Sequence, residues 1–341
     1  MIVVYVDEER SIPREMMGRL RLEDIVQATG GRVLCGNSEE FSGLSIDSRS
    51  IREGELFVAL KGDHFDGHDY ISSALTKGTG ALVHVSPAEL PENKTVILVG
   101  NTLAALQGLA RYLRSKLAAP VIGVTGTNGK TTTKELISSV FGQRQKVLKT
   151  SGNLNNHIGL PLCIGRMDGD EDIMVLEMGS NARGDIRQLC EIALPDFAVV
   201  TNVGPAHLEG FGSLEAVRDT DLEVLDYVKT ASVNADDSFL LEGIKNYSGR
   251  LLTYGIKNSA DVFAKDIMLG TRGSGFKLCL PGKRKIAVNL QLSGMFNIYN
   301  ALAAASTADG LVIGLEDIKN GLESFGGVPM RLEIKEMLGA L

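Results

Sequence analysis

An α/β fold, with a largely parallel sheet flanked by helices, is predicted by three features of this 341-residue chain. Strand-sized apolar runs alternate with segments of helical period, the pattern of strands wound on both faces by helices. One apolar run, residues 120–124, stops at a glycine-rich turn where Lys130 and Thr131 open a helix over 131–141. Two further apolar runs, 173–177 and 197–202, end on Glu177 and Asn202, at the carboxyl ends where such sheets hold ligands.

The elements follow in order. Residues 1–19 form a leader with a short apolar run and Pro13. Leu20, Leu22, Ile25, Val26 and Ala28 give a short helix ended by Gly30-Gly31, then a strand over 32–35. After the segments 43–50 and 54–62 comes a polar, turn-rich stretch, 63–69, then a helix over 71–77 and a strand over 81–85. His64 and His68 fall in that stretch, where a spacing of four carries no helical meaning, so a solvated loop is expected in preference to a metal site. The acidic, proline-bearing stretch 87–92 reads as a connector, and a strand over 96–99 precedes a helix over 102–117 with Leu103, Leu106, Leu109, Ala110 and Leu113 on one face. The expected domains are 20–99, 100–327, and a third begun by the linker 328–341.

A net charge of −7 offers no field for nucleic acid or an anionic membrane, so a phosphate must be held locally. Cysteines 35, 163, 190 and 279 are isolated, which suggests a reducing compartment and no zinc site. With no membrane-length apolar run, a soluble, cytoplasmic protein is expected; the chain is separately expected to be a monomer.

The turn Gly126-Thr127-Asn128-Gly129-Lys130-Thr131-Thr132 carries the chemistry. Glycines let backbone N–H groups curl round an anion, a lysine reaches the outer phosphates, and a hydroxyl serves Mg²⁺. The spacing is a variant, because Val124 stands where the common phosphate-loop motif has its first glycine. Phosphoryl transfer needs oxygen ligands for a divalent ion, for which Glu177 is the first candidate and Thr131 its partner. His207 follows another strand end; ligand and structural readings are equally open from the residues alone. Asn153, Asn155 and Asn156 precede a helix, where Asx-turn chemistry is the ordinary role.

Five segments in order, 125–131, 153–161, Glu177-Met178-Gly179, 202–212 and 294–303, resemble the Mur ligases. Glu-Met-Gly and Gly-Pro-Ala-His-Leu-Glu-Gly-Phe-Gly-Ser resemble the MurF type among them, and Asp47-Ser48-Arg49 with residues 56–62 and 66–68 is similar to the uridine-nucleotide domain of the MurE and MurF types. The resemblance implies a small N-terminal α/β domain binding the UDP-sugar, a P-loop ATPase-like central domain and a Rossmann-like third domain, here present only in its first residues. It implies ATP-dependent ligation of D-alanyl-D-alanine to UDP-N-acetylmuramoyl-tripeptide through an acyl phosphate, in peptidoglycan precursor synthesis. The residue roles it implies are Lys130 and the loop amides on the β/γ-phosphates, Thr131 and Glu177 on one Mg²⁺, and His207 on a second. Asn297 would contact adenine, Arg331 would serve the nucleotide from the linker, and Ser45, Asp47, Ser48, Arg49, Asn155 and Asn156 would hold the UDP-peptide.

Three departures accompany it. Asp221 stands where the family carries a lysine modified by CO₂ to a carbamate, and its carboxylate is expected to supply the same charge without modification. Phe296-Asn297 replaces a His-Asn pair. With the acceptor domain lacking, substrate binding is expected to exceed ligation. The competing readings are a MurE-type ligase adding a diamino acid and a non-catalytic nucleotide-sugar-binding protein.

Overall fold

The computed structural model describes residues 20–327. The leader at 1–19, Arg331 and the linker 328–341 lie outside the described residues. The described residues divide into two compact units: one of 20–119 with 151–171 and 191–194, the other of 120–150, 172–190 and 195–327.

The first unit runs β1 (Leu20–Arg21), α1 (Leu22–Thr29), β2 (Arg32–Cys35), β3 (Glu40–Phe41), β4 (Gly43–Ser45), β5 (Glu55–Val58), α2 (Ile71–Leu75), β6 (Gly80–Val83), β7 (Thr95–Leu98) and α3 (Thr102–Lys116). Gly30 ends α1 in the left-handed region, φ 63°, as its sequence predicts. Strands order as β2-β7-β6-β5-β4, parallel except where β2 meets β7. The domain edge was expected near 99/100, whereas α3 clusters with this unit: Leu106 and Leu109 share a core with Leu56, Leu82 and Ile97.

His68 does not sit in a solvated loop. It lies in a 3₁₀ turn, Gly67–Tyr70, with Nδ1 2.7 Å from Asp66 Oδ1 and Nε2 accepting from the His84 backbone N–H at 3.1 Å. Accepting at Nε2 fixes the neutral tautomer, with the proton on Nδ1 donated to Asp66.

The second unit continues with β8 (Val121–Thr125), α4 (Lys130–Phe141), β9 (Val147–Lys149), α5 (Gly159–Ile164, which belongs to the first unit), β10 (Ile173–Glu177), α6 (Asp185–Ala193), β11 (Phe197–Val200), α7 (Leu208–Phe211) and α8 (Leu214–Asp221). It ends with β12 (Thr230–Asn234), α9 (Ser238–Gly243), β13 (Arg250–Gly255), β14 (Val262–Leu269), β15 (Ser274–Leu280), β16 (Arg284–Leu290), α10 (Met295–Gly310) and α11 (Leu315–Ser324). All nine strands form one sheet, ordered β16-β15-β14-β13-β12-β11-β8-β10-β9. Pairing is parallel from β9 to β14 and antiparallel beyond.

The sequence pattern announced only β10 and β11 after β8, so β9 and β12 to β16 correct it. Their signal was present, since Phe276, Leu278 and Leu280 alternate inward along β15, as do Val288 and Leu290 on β16. Alanines at 301, 303, 304 and 305 are fully buried, which lets α10 pack closely beside α4. Among the described residues no helix is long and apolar enough to cross a membrane.

Candidate active site at the ends of the central strands

Strand β8 is flanked by β11 on one side and β10 on the other, and the chain after β8 leaves to one side and returns on the other. This is the switch point at which an open α/β sheet leaves a crevice. The turn after β8 has Gly126 at φ 119° and Gly129 at φ 82°. A Cβ on Gly126 would collide with Thr201 Oγ1, and one on Gly129 with Asn300 Oδ1. Only glycine fits both positions.

The loop is buttressed from the end of β11. Thr127 N donates to Asn202 O at 2.8 Å, Asn128 N to Asn202 Oδ1 at 3.1 Å, and Asn202 Nδ2 returns to Asn128 O at 2.9 Å. Thr201 Oγ1 donates to Asn128 O at 2.7 Å. Asn202, singled out as a strand-end residue, therefore shapes the loop. Lys130 folds back on it, its Nζ donating to Gly126 O at 2.5 Å and Thr127 O at 3.1 Å. Lys130, Thr131 and Thr132 form the first turn of α4, with Thr131 buried and Thr132 half-buried. Loop and helix end together make an anion cradle.

Parallel register sets what flanks it. Glu177 pairs with Val124 and Val200 with Thr125, so the ends of β10 and β11 stand on either side of the loop's start. Glu177 is buried, its N–H donating to Thr150 Oγ1 at 2.9 Å. His207 is exposed in the left-handed conformation, φ 45° and ψ 37°, just before α7, which Phe211 anchors against Ala216 and Val217. Backbone held in a sparsely populated region is a frequent mark of function.

Asp221 ends α8 and is buried beneath the loop. Its Oδ1 accepts from Thr125 Oγ1 at 3.0 Å and Ser180 Oγ at 3.4 Å, and its carboxylate also receives the Gly126 N–H. Burial pushes its carboxyl up to about 6, against the pull of the nearby Lys130 charge.

Asn297 is buried, with Nδ2 donating to Ser293 O at 2.8 Å and Oδ1 accepting from Asn300 Nδ2 at 3.2 Å, while the neighbouring Phe296 ring is exposed. In the first unit Ser45 ends β4, and Ser48 is buried in the turn that follows. Asp47 clasps Arg49 through Nε at 2.9 Å and a second guanidinium nitrogen at 2.8 Å. Those bonds hold the Asp47 carboxyl down to about 2. Asn156 Oδ1 caps α5 through Ile158 N and Gly159 N, the ordinary Asx role, and Asn155 lies in the same turn. Lys134, Thr150 and Ser180 lie outside the recognised segments, yet Lys134 bonds Thr150, Thr150 accepts the Glu177 N–H and Ser180 donates to Asp221, while Asn300, within 294–303, accepts from Thr133 of α4.

Comparison with known proteins agrees with this geometry. Residues 124–308 match the Mur ligase middle domain and residues 40–114 the Mur ligase family catalytic domain. The chain is 39% identical over 295 residues to the UDP-N-acetylmuramoyl-tripeptide–D-alanyl-D-alanine ligase of Bacillus subtilis, covering 86% of this chain and 64% of that one. It is 36% identical to the Escherichia coli enzyme of that name, covering 88% and 67% of the two chains. The crystal structure of MurF from Acinetobacter baumannii superposes with a TM-score of 0.87 at 31% identity, over 94% of this chain and 72% of the other. MurF ligase from Thermotoga maritima in complex with ADP gives 0.75 at 34% identity, over 86% and 68%. Fold, loop and matches converge, and the chain belongs to the Mur ligase family.

Proposed function

We propose that the chain is a MurF-type ligase that joins D-alanyl-D-alanine to UDP-N-acetylmuramoyl-tripeptide at the expense of ATP, working as a monomer in the cytoplasm. The observation that carries this reading is the glycine cradle of 126–129 with Lys130 at its end and the buried Glu177 on the adjoining strand. An oxygen of the tripeptide carboxylate attacks the γ-phosphorus, the bond to the β-phosphate oxygen breaks, and ADP leaves. The D-alanyl-D-alanine amine then attacks the acyl carbon, loses its proton and expels inorganic phosphate, a far better leaving group than oxide.

In this reading the loop amides and Lys130, swung off its own carbonyls, hold the β- and γ-phosphates. The carboxylate of Glu177 and the hydroxyl of Thr131 are hard oxygen donors of the kind Mg²⁺ selects, and the exposed His207 imidazole suits a second ion. Bound Mg²⁺ would neutralise phosphate charge as it develops on the transferred group. Asn297 braces the start of α10 beside the base, and the Arg49 guanidinium, aimed by Asp47, takes the uridine-nucleotide substrate with Ser45, Ser48, Asn155 and Asn156. Asp221 supports the loop from below with a charge already present. No carbamoylated lysine is then required, so activity should be the same in bicarbonate-free and bicarbonate-supplemented buffer; a dependence on bicarbonate overturns that role.

Positional isotope exchange in [γ-¹⁸O₄]ATP tests the whole reading. With UDP-tripeptide and no D-alanyl-D-alanine, reversible acyl phosphate formation should scramble label between bridging and non-bridging positions. Absence of scrambling while UDP-tripeptide still binds would overturn it in favour of a non-catalytic role.

A further inference from the structure

Lys134 is the most deeply buried cation among the described residues, at 1% relative exposure, and the loop motif does not account for it. Burying an ammonium costs several kcal/mol unless its donors are met. Here Nζ donates to Thr150 O at 2.6 Å, lies 3.0 Å from Glu135 Oε1, and stands 3.9 Å from Glu177 Oε2. Glu135 is held in turn by Lys149, so the charges around Lys134 are Glu135, Lys149 and Glu177.

Thr150 completes a closed linkage. Its carbonyl accepts a hydrogen bond from Lys134 Nζ and its Oγ1 accepts one from the Glu177 N–H at 2.9 Å, so one residue ties the ammonium to the strand end that bears the carboxylate. Lys130 and Lys134 are one helical turn apart on α4 and therefore share a face. The first reaches the loop, and the second stands beside the carboxylate. A hydrophobic residue would fill the same volume at no desolvation cost, so retaining a charge here implies that the charge acts on something.

We propose that Lys134 is a positioning residue for the metal-binding carboxylate: it fixes where Glu177 points and so sets the Mg²⁺ affinity of the nucleotide site. The inference rests on the reading of Glu177 as a metal ligand. A merely structural Lys134 would tie β9 to β10 and nothing more, and its loss would weaken every nucleotide complex alike. A positioning Lys134 affects only the complexes that contain metal.

The test is calorimetric titration of ADP into the full chain, with Mg²⁺ and with EDTA, for wild type, Lys134→Met, Lys134→Arg and Glu135→Gln, each checked for folding by its thermal melt. For Lys134→Met, metal-free ADP affinity should stay within about 2-fold of wild type while the Mg²⁺-dependent gain falls by roughly 10- to 100-fold, the range typical of residues that orient metal ligands. Lys134→Arg should restore part of that gain. Glu135→Gln, which loosens the ammonium without opening the core, should shift it in the direction of Lys134→Met but less, and it decides the matter if Lys134→Met does not fold. Equal losses with and without metal, or an unaltered Mg²⁺ dependence in both Lys134→Met and Glu135→Gln, overturn the proposal. A wild type whose ADP affinity ignores Mg²⁺ overturns the metal reading itself, a result distinct from failure of Lys134 alone.

Discussion

Gly126→Ala is expected to weaken nucleotide binding by roughly 100-fold, the scale on which displacing a positioning group by an ångström acts. At φ 119° an L-residue is strained, at a cost of about 1–3 kcal/mol, and the added methyl collides with Thr201 Oγ1. That hydroxyl holds the Asn128 carbonyl, so the collision spreads into the buttress. Gly100→Ala is the control, because its backbone is unstrained and nothing lies within 4 Å of a Cβ there. Isothermal titration with ADP and a denaturant melt on both variants read the two effects. Equal affinities for the two alanine variants would mean that the 126–129 turn is not the nucleotide cradle.

Asp221→Asn should stabilise the protein at neutral pH and lower its activity. Burial raises the Asp221 carboxyl from 3.8 to about 6, so the native state binds that proton more tightly than the unfolded chain does. The sign follows from linkage: the stability given by holding that proton is complete below pH 3.8 and is lost as pH rises through about 6. Two pH units correspond to about 3 kcal/mol. Asparagine can still accept from Thr125 and Gly126 without a charge to desolvate. The variant should therefore gain up to about 3 kcal/mol over wild type at pH 8 and nothing near pH 4. Activity should fall by at least about 10-fold, because the anionic support beneath the loop is lost, a trade of function for stability. Chemical denaturation at the two pH values, with isotope exchange alongside, decides it. A stability difference that does not change with pH would show that Asp221 carries no such strain.

Much of this was legible in advance where the determining forces are local. Gly30 closing α1, the leucine face of α3 and the strand-turn-helix around Lys130 all follow from residues within one or two turns of each other. The alternating residues of β15 and β16 were equally local but lay beyond any recognised motif. His68 misled because its partners, Asp66 and the His84 backbone, replace the water that a polar loop suggests.

By itself, then, the sequence determined the α/β class, the anion cradle with its lysine, Glu177 and His207 as candidates at and after strand ends, and the family resemblance that gave them roles and singled out Asp221. Only the tertiary structure decided that Asn202 builds the loop, that Asp221 lies beneath it at the expense of its own ionisation, and that Lys134 faces Glu177. The physical reason is that a turn and a helix start are written in consecutive residues. A charge buried beside another charge is created by strand register and desolvation, which join residues that no local pattern connects.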